Sequence, residues 1–359
     1  MSDTNQLIEQ VRNSLGKISD PETGRGLKKQ ILAVEPGGEG SVSVRVGLTS
    51  FAAAIKDDFR EKVESQLTGE FADTNFDVQI ENFERAPQPL GTIGLKCKAV
   101  IAIAAGKGGV GKSTAATSLA IALKRAGSSV GLLDADVYGP SIPQLTGIRG
   151  RCAATEGEKI TPMDFNGIPL MSIGFMIPPG EAVIWRGPML HSAVTTFVKN
   201  TEWGELDYLI IDMPPGTGDI ALSLSQLLPL TGSIIVCTPQ EVALIDAVKA
   251  VGMFRKVKIP VLGLIENMSS FICPDTGKSY DIFGKGGARE YAKQDNIAFL
   301  GEIPINIGLR ERGDAGTMAD NFDDETVGPY LESIAKQLVT TLADNAAANP
   351  ATPQLPVIG

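Results

Sequence analysis

Nine consecutive residues carry the densest chemical signal in the chain: Gly106, Lys107, Gly108, Gly109, Val110, Gly111, Lys112, Ser113 and Thr114, within IAIAAGKGGVGKSTAATSLA at 101–120. Two phosphate-binding patterns overlap there. Gly106, Gly108 and Gly111 satisfy G-x-G-x-x-G, and Gly106, Gly111, Lys112 and Ser113 satisfy G-x-x-x-x-G-K-[ST]. The first would hold a dinucleotide, and Asp134, about twenty residues on, sits where a ribose-binding acid would. A dinucleotide pyrophosphate is held by backbone and a helix N-terminus, and needs neither a lysine nor a hydroxyl at the helix start. A triphosphate with Mg²⁺ needs both: the lysine offsets phosphate charge and the hydroxyl ligates the metal. Lys112, Ser113 and Thr114 therefore favour ATP and Mg²⁺. A phosphate loop uses one lysine, so Lys107 is left over.

Acids follow two other apolar runs. LDYLIIDMPPGTGD (206–219) ends a strand-like run at Asp212 and continues into a loop where Gly216 and Gly218 let backbone N–H groups approach a terminal phosphate. GLLDADVYGPS (131–141) places Asp134 and Asp136 at i and i+2, on one side of an extended chain. Asp134 and Asp212 are candidates to hold Mg²⁺ through water, and Asp136 to orient the attacking water.

The elements that must position these residues are legible from periodicity. From 98 onward short apolar runs (99–105, 129–134, 207–212, 232–237, 260–266 and 297–301) alternate with amphipathic stretches, predicting an α/β fold with a mostly parallel, doubly wound sheet. A closing helix is expected over 326–342. Before it stands a small α+β domain: a helix over 4–17, a turn at DPETGRGL (20–27), strands QILAVEP and SVSVRVGL, a helix over 52–67 and a strand NFDVQIE. The expected domains are 1–84, a Pro/Gly linker at 85–97, a nucleotide-binding domain at 98–343 and a disordered tail at 344–359.

Composition bounds the partners. The chain of 359 residues carries a net charge of −10, which argues against covering nucleic-acid phosphates. No apolar run approaches the roughly 20 residues of a membrane span, and the N-terminus has no signal core, so a cytoplasmic chain is expected. The single histidine, His191, excludes a histidine-rich metal site. Four dispersed cysteines (Cys97, Cys152, Cys237 and Cys273) are no disulfide framework, and Cys237, in an apolar run, is expected to be buried.

GKGGVGKST resembles the deviant phosphate loop of the MinD/ParA/nitrogenase-iron-protein class of ATPases. That resemblance implies a homodimer in which the early lysine, here Lys107, reaches the phosphates held by the partner subunit. DADVYGPSIP, WRGPML, WGELDYLIIDMPPGTGD, TPQEVALIDAVKA, IENMS and GEIPINIGLRERGDAG resemble the Mrp/ApbC iron–sulfur cluster carrier ATPases over nearly all of 85–343. The N-terminal unit resembles the SufT/PaaD-type assembly domain. The family resemblance implies slow ATP hydrolysis, delivery of a 4Fe–4S cluster to client apoproteins, contact with iron–sulfur assembly proteins and adenine contact by Asn267; the acidic balance and a tail without a basic amphipathic helix lead us to expect no nucleic-acid or membrane partner. The resemblance departs at two positions. The family's C-P-x-C after ENMS is here Cys273-Pro-Asp-Thr276, and a cysteine common in the N-terminal domain is replaced by Ala53. A hydroxyl is a poor iron ligand, so an ATP-gated scaffold or a partitioning-type ATPase stands as the alternative.

Overall fold

The structure is a computed structural model that describes residues 2–137, 139–153, 159–176 and 187–351, in two compact units. The first holds the residues up to Arg85 together with those from Val339 on, and the second runs Ala86–Leu338.

In the first unit, helix α1 (Ser2–Leu15), strands β1 (Ile31–Pro36) and β2 (Val42–Leu48), helix α2 (Lys56–Glu70) and strand β3 (Phe76–Asn82) follow in order. β2 is central, antiparallel to β1 and parallel to β3. Its alternating Val42, Val44 and Val46 are buried, as are Val11 and Leu15 of α1 and Phe59, Val63 and Leu67 of α2. The helix expected from 52 starts at Lys56. Ser50–Ile55 is a 3₁₀ turn with Ala52 off helical geometry, and Asp57 and Asp58 favour the later start through the helix dipole.

The second unit contains β4 (Pro89–Leu90), β5 (Leu95–Ala104), α3 (Lys112–Ala126), β6 (Val130–Asp134), α4 (Ile142–Thr146), β7 (Met163–Phe165), β8 (Ile168–Ser172), α5 (Gly187–Asn200), β9 (Leu206–Asp212) and α6 (Asp219–Leu227). It continues through β10 (Gly232–Cys237), α7 (Glu241–Lys256), β11 (Val261–Ile272), β12 (Ser279–Tyr280), α8 (Gly287–Gln294), β13 (Phe299–Ile305), α9 (Ile307–Ala315) and the start of α10 (Gly328–Ala348).

Its parallel strands run in the order β13-β11-β10-β5-β9-β6-β8, and β4, β7 and β12 add antiparallel partners. After β5 the chain lays β6 and β8 on one side. It then returns with β9 into the gap between β5 and β6, and afterwards crosses to build β10, β11 and β13 on the other side. The winding thus changes direction beside β5, and in such sheets ligands bind off the carboxyl ends of the strands at that place. All residues of β6, β9 and β10 are buried, which explains their uninterrupted apolar runs.

Three elements exceed the sequence reading. The β7–β8 hairpin was not anticipated; its turn is Asn166-Gly167, both at positive φ, the chemistry of a tight two-residue turn. β11 runs to Ile272 because its end pairs with β12. α10 continues to Ala348, since its alanine-rich end keeps helical propensity. Of the tail expected at 344–359, residues 352–359 lie outside the described residues.

Candidate nucleotide site and the Cys273 hairpin

β5 delivers the chain into the glycine turn and α3 leaves it. Two glycines there have no substitute. A Cβ on Gly106 would lie 2.1 Å from the Asp246 carbonyl oxygen of α7. Gly111 has φ +81°, and a Cβ on it would lie 2.0 Å from Asn267 Nδ2. Gly108 and Gly109 are exposed, with open space where a Cβ would stand. Val110 is buried, and its carbonyl accepts a hydrogen bond from Asn267 Nδ2 at 2.8 Å.

Lys112 and Ser113 open α3 beneath two strand ends. β6 and β9 are in register with Asp134 opposite Asp212. Lys112 Nζ lies 2.6 Å from Asp212 Oδ1 and 3.4 Å from Asp136 Oδ2, and Ser113 Oγ donates to Asp212 Oδ2 at 2.5 Å. Lys112 is only 6% exposed, and Asp134 and Asp212 are fully buried. Asp134 Oδ1 accepts the Asp136 N–H, while its Oδ2 accepts the Ser172 hydroxyl and the Ile142 N–H. This buried set therefore holds three carboxylates against one ammonium. Burial raises Asp134 above the usual carboxylate range, and the Asp212 charge adds to that rise. Burial raises Asp212 too, against the opposing pull of Lys112.

A surplus of buried hard oxygen donors over cations fits Mg²⁺. Among the described residues no three His, Cys, Asp or Glu are grouped to hold a metal by themselves. Asp134 is too enclosed to meet a ribose, so the dinucleotide reading of this turn fails on its own acid.

These raised values set a pH dependence. A carboxyl whose folded pKa lies above its unfolded value contributes stability that is present at low pH and lost as pH rises through the folded value. In Asp134→Asn the neutral amide keeps an acceptor for the Asp136 N–H and the Ser172 hydroxyl can turn to accept, while the long contact with the Ile142 N–H is lost at every pH. Between about pH 5 and about pH 8, below the raised Asp134 value of about 8, the thermal midpoint of the nucleotide-free variant is expected to fall less than that of the parent chain. Scanning calorimetry checks this, and an equal or steeper fall in the variant counts against it.

Beyond the turn opens a cavity of about 440 Å³, lined by Gly111, Thr114, Asn267, Met268, Phe283 and Pro304 among others. Its size and largely apolar wall suit a purine nucleoside. Because Asn267 gives its Nδ2 to the Val110 carbonyl, its Oδ1 is the free end of the amide. The loop after β9 is tied in by the Gly216 N–H, which donates to the Ala105 carbonyl at 2.8 Å. Lys107, half-buried beside Gly106, makes no hydrogen bond or ion pair with any described residue. The structure thus brings together Lys112, Ser113, Asp136 and Asp212, with Asp134 behind them and Asn267 and Thr114 at the cavity, and leaves Lys107 apart. The reading from sequence missed Ser172 and Glu266. The first arrives on the unanticipated β8, and the second accepts only backbone N–H groups.

Cys273 sits elsewhere, where β11 turns into β12. Its N–H donates to the Lys278 carbonyl, and its carbonyl accepts the Gly277 N–H. The Thr276 hydroxyl, with the Asp275 and Thr276 N–H groups, holds the Cys273 thiol below its usual pKa. The other cysteines differ. Cys97 and Cys237 are buried, with burial pushing both thiols up to about 12. Cys152 is half-buried.

A glycine turn feeding Lys112 and Ser113 into a helix, with acids at neighbouring strand ends, defines a P-loop nucleotide-binding protein. Residues 96–339 match the family model described as "ParA: NUBPL iron-transfer P-loop NTPase", and the chain belongs to this family. It is 42% identical to an "Iron-sulfur cluster carrier protein" of Deinococcus radiodurans over 95% of both chains. It is 50% identical to a protein of that name from Aquifex aeolicus over 67% of each. Among solved structures, a nucleotide-binding protein in complex with ADP from Archaeoglobus fulgidus is 40% identical with a TM-score of 0.57. That match covers 62% of this chain and 88% of that one. No helix among the described residues is long and apolar enough to cross a membrane.

Proposed function

We propose that this chain is an ATP-hydrolysing carrier of iron–sulfur clusters that works as a homodimer and passes its cargo to client apoproteins. The observation that carries the nucleotide half is the buried contact of Lys112 and Ser113 with Asp212. Both groups a triphosphate needs are held at the mouth of the glycine turn by a carboxylate that phosphate can displace. On ATP binding, Lys112 turns from Asp212 and Asp136 to the β- and γ-phosphates. Ser113 releases Asp212, and its Oγ with Asp134 and Asp212, the acids acting through water, are the groups that would hold Mg²⁺. The ion supplies charge neutralisation on the phosphates. Backbone N–H groups of Gly108, Gly109, Val110 and Gly111 cradle the phosphates; the Gly216 N–H, which donates to the Ala105 carbonyl, must leave it to reach the terminal phosphate. Asp136, freed from Lys112, accepts a proton from the attacking water. Asn267 Oδ1 accepts from the exocyclic amine of adenine, which guanine, with a carbonyl there, cannot offer. Lys107, which bonds to no described residue of its own subunit, serves the partner's phosphates.

The cluster is cargo. Its ligand in this chain is Cys273, whose thiol is accessible and held toward thiolate. One such thiolate per subunit gives a dimer two of the four that a cubane cluster takes, so the cargo is held loosely and released readily. The N-terminal unit contains no cysteine, and Ala53 stands in its 3₁₀ turn, so that unit recruits clients or assembly proteins and does not ligate iron through sulfur. Thr276 favours a second reading, an ATP-gated scaffold without a cluster.

Anaerobic reconstitution separates the two. The parent chain is expected to hold substoichiometric, easily lost iron and sulfide, Cys273→Ser essentially none, and Thr276→Cys more for longer. Equal iron and sulfide in the parent chain and Cys273→Ser would place the cluster elsewhere or nowhere and favour the scaffold.

A further inference from the structure

The chain from Glu266 to Ala288 departs from one buried carboxylate and returns to it. Glu266, fully buried at the end of β11's pairing with β10, accepts the Gly286 N–H at 3.1 Å and the Ala288 N–H at 2.9 Å. It thereby caps the start of α8 and pins both ends of the excursion. Asn267, the next residue, holds the glycine turn through Val110. Then comes Met268, with φ +57°, a left-handed conformation that a side chain of this kind rarely adopts. The pairing of β11 with β13 is interrupted there, between Asn267 and Phe271. Past this break Phe271 and Ile272 pair with Tyr280 and Ser279, and Cys273 opens the turn between them. The chain comes back along Ile282 and Phe283, which with Met268 wall the nucleoside cavity. The Cys273 hairpin is thus bracketed on both sides in sequence by residues of that cavity.

We propose that Met268 is a strained hinge through which occupancy of the cavity by a nucleotide base sets the position and reactivity of Cys273. This rests on the nucleotide reading of the cavity and not on cluster binding. Backbone strain persists only where the surroundings over-determine it, and it gathers at elements that switch. Here the fixed surroundings are the Glu266 cap and the Asn267 contact. The moving part is thinly held: Tyr280 is 45% exposed and Ile282 58% exposed. A ligand shifts an equilibrium only through contacts that differ between its states. A base in the cavity supplies such contacts to Met268, Ile282 and Phe283, and those contacts order the hairpin. Met268 and Glu266 are positioning residues in this scheme, since neither touches the reacting phosphate.

The test uses the full chain carrying Cys152→Ser, which leaves Cys273 as the reactive thiol beside the buried Cys97 and Cys237. Alkylation of Cys273 by iodoacetamide is followed by peptide mass spectrometry, without nucleotide and with saturating ADP and Mg²⁺. Saturation is fixed for each protein by equilibrium dialysis. ADP is expected to slow alkylation about fivefold, the low end of ordinary coupling between sites. Met268→Gly, which removes the strain, should bring the ratio of rates close to one at its own saturating ADP. Glu266→Gln, which loses one cap acceptor, should reduce it. An unchanged rate in the parent chain with ADP demonstrably bound overturns the hinge and leaves the nucleotide reading standing. Absence of ADP binding overturns that reading and the hinge with it. A full fivefold effect retained in Met268→Gly removes Met268 from the connection.

Discussion

Lys112→Ala is expected to cost nucleotide affinity, hydrolysis and stability together. Among the described residues Lys112 Nζ is the one cation bonded to Asp212, in a site where Asp212 and Asp134 are fully buried. Removing one partner of a buried pair typically costs about 3–5 kcal/mol, because the remaining charge is left without compensation. Asp212 escapes part of that cost by taking up a proton, the direction in which burial already pushes it. The loss should therefore be smaller at pH 6 than at pH 8, and the variant's unfolding midpoint should fall more steeply with rising pH than the parent's. For chemistry, losing one group aimed at developing charge is worth roughly 10²–10³ in rate. Titration calorimetry with ADP and Mg²⁺, single-turnover hydrolysis and thermal unfolding at two pH values read the three effects separately. Lys112→Met keeps the bulk of the stem and isolates the charge. Parent-like ADP affinity in both variants would remove Lys112 from the binding site and leave it a structural counter-ion.

The glycine turn was legible because all its information is local. Gly106, Gly111, Lys112 and Ser113 are fixed by covalent spacing, and an apolar run before them and a helical run after them suffice to aim them. The buried strands were legible for a similar reason, since a strand covered on both faces must be apolar along its length. What escaped were elements whose cause lies far away in sequence. Ile168–Ser172 is short and contains Pro169, which reads poorly as a strand, yet β8 finds its place beside β6. The Asn166-Gly167 pair was the available signal. With β8 comes Ser172, whose hydroxyl reaches Asp134, so the surroundings of that acid were hidden with the strand.

Glu266 shows a different limit. It stands next to Asn267, to which family resemblance draws attention, but its partners are the N–H groups of Gly286 and Ala288, and backbone donors leave no mark in a side-chain pattern. Asn267 itself takes on a second task beside the adenine contact that the resemblance implies. It clamps the glycine turn, and its Nδ2 lies where a Cβ would stand on Gly111, whose φ of +81° already favours glycine. The left-handed Met268 was equally silent, since methionine carries none of the turn preference that glycine or asparagine would have signalled. Sequence thus displayed the residues proposed to meet the nucleotide, and was mute about those that hold or bend the frame around them.

Lys107→Ala is expected to leave ADP binding nearly intact and to lower hydrolysis by about 10³, the lower end of what a positive group supplied from outside the site contributes. The expectation starts from a contrast between two lysines in one turn. Lys112 is buried and bound to two acids, while Lys107 is half-buried and makes no bond to any described residue of its own chain. A lysine next to the phosphate cradle, with no partner among the described residues of its own chain, serves its own nucleotide, serves one across an interface, or has no role. Mixing subunits decides between them. Lys107→Ala subunits retain their own Asp136 and lack the cation their partner needs; Asp136→Ala subunits have the opposite defect. In a mixed dimer, one of the two sites combines the intact Asp136 of one chain with the intact Lys107 of the other. Hydrolysis should then recover toward half of the parent rate per mixed dimer, and increase with the fraction of mixed dimers as the ratio of the two variants is varied. Mixed dimers that form and stay as slow as either variant alone would place Lys107 on the nucleotide of its own subunit. Full activity of Lys107→Ala by itself would reduce it to a surface lysine.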